Sequence, residues 1–268
     1  MHPNTNTTAY EQENQALASA SIGVPHPWRD LLQPMCLSQE AREGADDKGA
    51  TETERILFAL AQAVEQRDRY TANHCGRLAF ISVAMGIFMG LDRGNLLSLY
   101  RGGYLHDIGK VGIPDSILFK PDKLNEEEWA VMRTHTIRGV DICRHLKSLA
   151  PVMPIIRYHH ERWDGSGYPH GLRGEEIPLL ARVLQTADIY DALTSPRPYK
   201  EAYSAAKALR LLREETDRGW RDPEVVELFF ALHQDVISKA VDYTAGSDRN
   251  LEAMRAALCR LQLPSWEA

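Results

Sequence analysis

Five histidines and two aspartates along the middle of this chain constrain its fold most. They are His74, His106, Asp107, His135, His159, His160 and Asp188. Imidazole nitrogens and carboxylate oxygens are the donors that Fe, Mn, Co, Ni and Zn prefer. Because one divalent ion takes about four to six donors, seven suit two ions that share a carboxylate. Ions paired at roughly 3.5–4 Å are an arrangement that hydrolyses phosphate esters.

Taken singly, these residues carry less information. A lone inward histidine such as His135 is more often a hydrogen-bonded core residue than a ligand, and His-Asp or His-His pairs are common by chance. The pair His106–Asp107 is more informative, because it ends an apolar helix just before a glycine. Adjacent helical residues point about 100° apart, so the two cannot easily chelate one ion in the same way. An aspartate that uses both oxygens can bridge two ions while its neighbour binds one.

Apolar residues recur at steps of three or four from Thr53 onward, which predicts α-helices. Asn125, followed by three glutamates, predicts the N-cap of a helix that continues through His135 to Leu146. The glycine-rich segment 161–176 is predicted to be an ordered loop. Further helices are predicted to begin near positions 74, 93, 152, 178 and 222. With no convincing strand, the predicted fold is all-α, a bundle of seven or more helices with metal ligands in its core.

Charge and hydropathy exclude several classes of protein. The net charge of -6 and the pI near 5.9 argue against a protein that follows duplex nucleic acid, although a local cationic pocket can still bind an anion. The apolar run at 78–91 is short for a membrane span, which needs about 20 residues. The N-terminus shows no signal peptide, so a cytoplasmic protein is predicted. The cysteines form no CxxC pair, which favours reduced structural thiols over redox sensing.

Two long motifs occur in order. The sequence HDIGKVGIP at 106–114 resembles the signature of the HD hydrolase superfamily. The sequence HHERWDGSGYPHGLRGEEIPLLARVLQTADIYDALTSPRPYK at 159–200 resembles the GYP-containing branch, the HD-GYP cyclic di-GMP phosphodiesterases. The similarity covers roughly residues 55–240. It implies a helical bundle of the HD-domain type with a C-terminal GYP-containing extension.

Composition and the resemblance together predict a division of the chain into three parts, and the resemblance does not cover the first 50 residues. Residues 1–50 would be a flexible tail or linker, residues 51–245 the HD-GYP domain, and residues 246–268 a C-terminal helix. Some relatives have a glutamate at the position of Tyr70 and bind a third ion. A phenol is a poor ligand at neutral pH because its pKa is about 10, so two ions are predicted.

The resemblance also implies a role for each candidate residue. One ion would be held by His74, His106, Asp107 and Asp188. The other would be held by Asp107, His135, His159 and His160. Substrate would be bound by Lys110, Tyr168, Arg197 and Lys200. The catalytic residues would be His106, Asp107 and Lys110.

The implied activity is hydrolysis of cyclic di-GMP to linear pGpG, with slow or absent further cleavage to GMP. The implied ions are iron, with manganese or another transition metal as alternatives, since the donors include no thiolate. One alternative is a non-catalytic cyclic-dinucleotide receptor or scaffold that binds a diguanylate-cyclase-type partner through the GYP loop. Another is a phosphodiesterase for a different cyclic dinucleotide. A homodimer through the helix at 53–66 also stays open.

Overall fold

The computed structural model describes residues 52–67, 73–196, 201–233 and 237–238. Helices dominate this part of the chain, which contains an isolated β-bridge between Asp164 and Arg173 but no strand. The all-α fold predicted from the sequence is confirmed. The predicted tail at 1–50 and the predicted helix at 246–268 lie outside the described residues.

Ten α-helices and three short 3-10 helices make up the described bundle. The α-helices are α1 (Glu52–Arg67), α2 (His74–Phe88), α3 (Arg93–Leu105), α4 (Asp115–Leu118), α5 (Glu126–Arg133), α6 (His135–Cys143), α7 (Met153–Tyr158), α8 (Leu179–Thr194), α9 (Ala205–Asp217) and α10 (Pro223–His233). The 3-10 helices are Ile108–Gly112, Lys147–Val152 and Gly174–Glu176. None of the helices described is both long enough and apolar enough to cross a membrane.

The segment after Asn125 differs in one respect from the prediction. Asn125 does cap α5, and its side chain and that of Glu128 each accept a hydrogen bond from the other's backbone amide. The single helix predicted from Asn125 to Leu146 is wrong, however, because α5 ends at Arg133. The Thr134 hydroxyl donates to the carbonyl three residues back at 2.6 Å, and this local bond tightens the turn between α5 and α6.

Helix α2 lies at the centre of the bundle, packed against α3 and α8. Its residues Leu78, Ile81 and Met85 are fully buried, and burial of each such side chain contributes about 1.5–3 kcal/mol. Helix α3 approaches so closely that a Cβ on Gly103 would lie 2.6 Å from the Ala79 Cα. Because α2 and α3 run antiparallel, His74 at the start of α2 and His106 directly after α3 meet at one end of the bundle.

The 3-10 helix Ile108–Gly112 packs its backbone directly onto α6. A Cβ on Gly109 would lie 1.9 Å from the His135 carbonyl oxygen and 2.5 Å from the Gly139 nitrogen. Only glycine fits in this contact. The turn that carries Asp107 is therefore pressed against the start of α6.

The loop between α7 and α8 is ordered by the buried carboxylate of Glu161. Its two oxygens accept from the backbone amides of His170, Gly171 and Leu172 at 2.7, 3.1 and 3.2 Å. Gln185 of α8 donates to the Glu161 carbonyl as well. The ordered loop predicted for 161–176 agrees with this arrangement, in which the GYP sequence at 167–169 directly precedes the three amides that Glu161 binds.

Candidate metal centre

The seven predicted donors converge at one end of the bundle in two groups. Within each group, one donor atom of every residue lies within 4.8 Å of the donor atoms of the others. The first group is His74, His106 and Asp188, and the second is Asp107, His135, His159 and His160. They come from the start of α2, the end of α3, the start of α6, the end of α7 and the middle of α8.

Four of the histidines use Nδ1 for a hydrogen bond within the protein. Such a bond fixes the ring and leaves the Nε2 lone pair for a cation, as in the outer shell of many metal sites. The partners are the Asp191 carboxylate for His74 at 2.7 Å, and the carbonyls of Gly103 for His106 at 3.3 Å, Met132 for His135 at 2.8 Å and Ile156 for His159 at 3.0 Å.

Several donor atoms of this cluster have no hydrogen-bond partner among the described residues. They are the Nε2 atoms of His106, His135 and His159 and the Oδ1 atom of Asp107, all of them buried. Leaving a buried polar atom unpaired costs about 1–3 kcal/mol. Four such atoms in one place fit a cluster whose remaining partner is a cation. The residues present therefore suit a metal centre.

The two oxygens of Asp107 face different histidines. Oδ1 lies 3.3 Å from His135 Nε2 and 3.8 Å from His159 Nε2. Oδ2 lies 3.3 Å from His106 Nε2 and 2.6 Å from the Lys110 ammonium. Each oxygen thus belongs with one of the two groups, which is what a shared carboxylate requires.

The electrostatics favour the protonation states that bind cations. Burial lowers the pKa of His135 to about 4, against the opposing charge of Asp107. Burial also holds the pKa of His160 well below its usual value. For Asp107, burial alone would raise the pKa, but Lys110 and His106 outweigh it and hold the pKa well below its usual range. At neutral pH His135 and His160 are therefore neutral and the Asp107 carboxylate is charged.

Asp191 supports the cluster and was missed from the sequence. Burial would lower the pKa of His74, but the hydrogen bond and charge of Asp191 outweigh it and raise that pKa to about 8. Arg77 in turn donates to both Asp191 oxygens, at 2.6 and 2.9 Å. The available signal was spacing, because Asp191 lies one helical turn after Asp188 on α8.

A cavity of about 340 Å³ adjoins the cluster at His159, His160 and Asp188. This volume lies in the range of small-ligand sites. Its wall includes Trp129, Arg133, Arg162, Ser166, Tyr168 and Arg221. Arg133 and Arg162 add positive charge to the cavity wall of an acidic protein, whereas Arg221 is ion-paired with Glu215 at 2.8 Å. Arg162 lies within the second motif, but sequence reasoning assigned no role to any of the three arginines.

The predicted substrate-binding residues have mixed outcomes. Tyr168 lines the cavity, and its ring stacks on His160 with the centroids 4.8 Å apart. Lys110 pairs with Asp107, beside the cluster. Arg197 and Lys200 lie outside the described residues, as does Tyr70. The roles assigned to these side chains stay predictions.

A helical bundle that gathers histidines and aspartates around the HD pair of residues 106 and 107 is the arrangement of an HD domain. The HD domain family model matches residues 54–225, which is more than half of the chain. The chain belongs to the HD domain family. The resemblance inferred from the two motifs is confirmed.

Several curated proteins are similar in amino-acid sequence over most of this chain. The cyclic di-GMP phosphodiesterase response regulator RpfG of Xanthomonas campestris is 41% identical, covering 74% of this chain and 53% of the relative. The 3'3'-cGAMP-specific phosphodiesterase 2 of Vibrio cholerae is 38% identical, covering 66% of this chain and 34% of the relative. The chain thus spans about a third to a half of the length of these relatives.

Solved structures share the fold. A cyclic GMP-AMP specific phosphodiesterase of Vibrio cholerae matches with a TM-score of 0.50 at 21% identity, covering 79% of this chain and 60% of that chain. An HDG"Y"P protein of Bdellovibrio bacteriovorus matches with a TM-score of 0.51 at 24% identity, covering 67% of this chain and 60% of that chain. At these identities the likeness shows the fold alone.

Proposed function

We propose that this chain is a metal-dependent phosphodiesterase that opens cyclic di-GMP to linear pGpG. One observation carries the proposal, namely that two groups of donors meet at Asp107 beside an arginine-bordered cavity. The names of the relatives support the substrate class, since they specify cyclic di-GMP and 3'3'-cGAMP. The HD and GYP motifs favour cyclic di-GMP, and the 38% identical relative keeps 3'3'-cGAMP as the second candidate substrate.

In this proposal Asp107 is shared between two divalent cations. His74, His106 and Asp188 complete one ligand set, and His135, His159 and His160 complete the other. Donors of nitrogen and oxygen suit iron or manganese. When bound, such cations polarise a phosphate oxygen and lower the pKa of water.

Cys75 is next to His74 in the chain, yet it does not join the donor set. Burial raises the pKa of its thiol well above the ordinary value, and Sγ faces the Tyr104 carbonyl at 3.8 Å. The thiol is directed to this carbonyl, and Cys75 belongs to neither of the two donor groups. The donor set therefore stays free of sulfur.

The chain's own side chains would bind and orient the phosphodiester. The Lys110 ammonium, next to Asp107, is placed to offset negative charge on the phosphate oxygens. Burial raises the pKa of Tyr168 well above its usual value, so its phenol stays a neutral hydrogen-bond donor. Arg162, at the cavity wall, would attract the dianionic substrate, whereas Arg221 is ion-paired with Glu215 at 2.8 Å.

Replacement of the shared carboxylate tests this proposal. Protein loaded anaerobically with Fe(II) or Mn(II) is expected to convert cyclic di-GMP to pGpG, as identified by chromatography and mass spectrometry. Asp107→Ala is expected to lower the turnover number by about 100-fold or more, because both groups lose a donor. Asp141→Ala, at an exposed position on α6, is the control and should retain activity. An Asp107→Ala protein that keeps two metal ions and near-native turnover would contradict the assignment.

A further inference from the structure

Four side chains form a continuous stack from the donor cluster to the wall of the cavity. The Tyr168 ring lies on His160 with an interplanar angle of 28°. The Arg133 guanidinium lies 5.5 Å from the centroid of Tyr168 and 5.8 Å from the centroid of Trp129. All four residues line the cavity. The outer end of the stack, Trp129 and Arg133, has no role in the proposed metal chemistry.

Trp129 presents an indole ring at the cavity wall with 43% of the residue exposed. It lies four residues before Arg133 on α5, so the two side chains share one face of that helix. An exposed indole in a cavity beside a phosphate-binding site is a stacking surface for a nucleobase. Every base has a flat π-face, so such stacking does not depend on which base is bound.

Arg133 offers what stacking cannot, namely a pattern of donors. Within the described residues its guanidinium forms neither an ion pair nor a hydrogen bond, and it lies against the two aromatic rings of Tyr168 and Trp129. The fork of a guanidinium matches the O6 and N7 acceptors of guanine. Adenine replaces O6 with an amino donor, which a guanidinium cannot bind.

We propose that Trp129 and Arg133 form a purine subsite of this cavity. Trp129 stacks on the base, and Arg133 donates hydrogen bonds to the O6 and N7 atoms of guanine. This inference rests on the proposed function, because it assigns one base of a cyclic dinucleotide to the outer part of the same cavity. It makes Arg133 a residue that selects guanine over adenine.

The test uses the metal-loaded full chain, with KM for cyclic di-GMP and the inhibition constant of cyclic di-AMP as readouts. Trp129→Ala is expected to raise both constants by about 5- to 150-fold with little change in kcat, and Trp129→Phe to retain most of the affinity. Arg133→Ala is expected to raise KM for cyclic di-GMP by a similar factor while leaving the cyclic di-AMP constant within about twofold.

Matched controls lie away from the cavity wall. Phe119→Ala removes an aromatic ring of similar exposure, and Arg144→Ala removes an exposed arginine at the C-cap of α6. Both should leave the two constants unchanged. Metal content and circular dichroism should be native in every variant, because both subsite residues lie at the surface.

Two outcomes would overturn the subsite. Wild-type constants in Trp129→Ala would remove the stacking role, and an equal loss for both dinucleotides in Arg133→Ala would make Arg133 a phosphate contact. Failure of the proposed function is a separate result. If the wild type hydrolyses no cyclic dinucleotide, calorimetric titration of the same variants with cyclic di-GMP and cyclic di-AMP still decides whether the subsite exists.

Discussion

Each of the four histidines with a bonded Nδ1 uses one ring nitrogen within the protein and turns the other toward the cluster. For His106 and His159 the acceptor is a carbonyl of the helix that each residue follows, and for His135 it is Met132 of the preceding helix α5. His74 begins its helix, so no turn of that helix precedes it. Its acceptor is Asp191 of α8 instead, and its orientation depends on a distant element.

This difference makes Asp191→Asn informative. An amide keeps the shape of the carboxylate but loses its charge, so the ring of His74 becomes less basic and less firmly oriented. Loss of such an outer partner typically weakens metal affinity by about 10- to 100-fold. We expect metal affinity to fall by this factor at one of the two proposed ion sites, as measured by competition with a chromogenic chelator. Asp141→Asn, an exposed aspartate, is the control, and equal weakening in both variants would refute the role of Asp191.

Single residues also show how far the sequence could lead. Five of the seven donors were recognisable because they lie in the two motifs, and His74 and His135 were assigned through the resemblance that those motifs imply. The structure brings all seven together. Asp191 and Glu161 were missed because their function depends on partners that only folding supplies. Asp191 meets His74 across 117 positions, and Glu161 binds amides of a loop that has no regular pattern. The arginines of the cavity wall were missed for the same reason.

Among elements, the loop between α7 and α8 depends on one carboxylate. Three amides of the segment that follows Tyr168–Pro169 donate to Glu161, so the loop folds around a charge rather than around an apolar core. The sequence predicted an ordered loop from its glycines, but not the residue that orders it. It also predicted one helix where Thr134 separates two, because the local bond of its hydroxyl is not visible in apolar periodicity.

Replacement of Glu161 should loosen this loop. In Glu161→Gln one oxygen becomes an amino donor that faces backbone N–H groups, so we expect a loss of about 1–3 kcal/mol in the free energy of unfolding. Hydrogen exchange at the amides of residues 170–172 should accelerate more than at α2. Glu175→Gln, an exposed neighbour in the sequence, should change neither quantity. Unchanged exchange at 170–172 would show that the loop is held by other contacts.

The contact between α8 and α10 predicts a pH dependence of stability. Burial lowers the pKa of His233, whose Nε2 lies 2.6 Å from the Tyr190 hydroxyl. Below the ordinary histidine value of about 6.5, the unfolded chain binds a proton that the folded chain does not, so the free energy of unfolding falls as the pH is lowered. His233→Gln should reduce the slope between pH 7.5 and 5.5 in urea denaturation. His145→Gln, at an exposed histidine, should leave the slope nearly as in the wild type.

For the binding of an anion, the distribution of charge over the whole molecule matters more than its net charge. The chain has a net charge of -6, yet the cavity wall carries three arginines. On α1, Ile56 and Leu60 are more than half exposed, so the homodimer predicted through this helix stays a prediction. The protein partner predicted to bind the GYP loop also stays a prediction.

Metal loading should stabilise the whole bundle. The cluster draws donors from α2, α3, α6, α7 and α8 and their ends, so a cation there binds the folded state far better than the unfolded chain. At a free concentration of about 100 times Kd the gain is about 2.7 kcal/mol. For a domain of this size that corresponds to a rise in Tm of roughly 5–10 °C. Thermal unfolding with Mn(II) and with chelator measures the shift, which should be much smaller in Asp107→Ala and unaltered in His145→Gln.

The contact at Gly109 bears on which ions the donor cluster could accept. Since its backbone lies against the carbonyl of His135, the turn that carries Asp107 and the start of α6 cannot move closer together. A cation of smaller radius could not be held more tightly by bringing the two elements together. Main-chain packing would therefore set a lower limit on ionic size, several atoms away from any ligand.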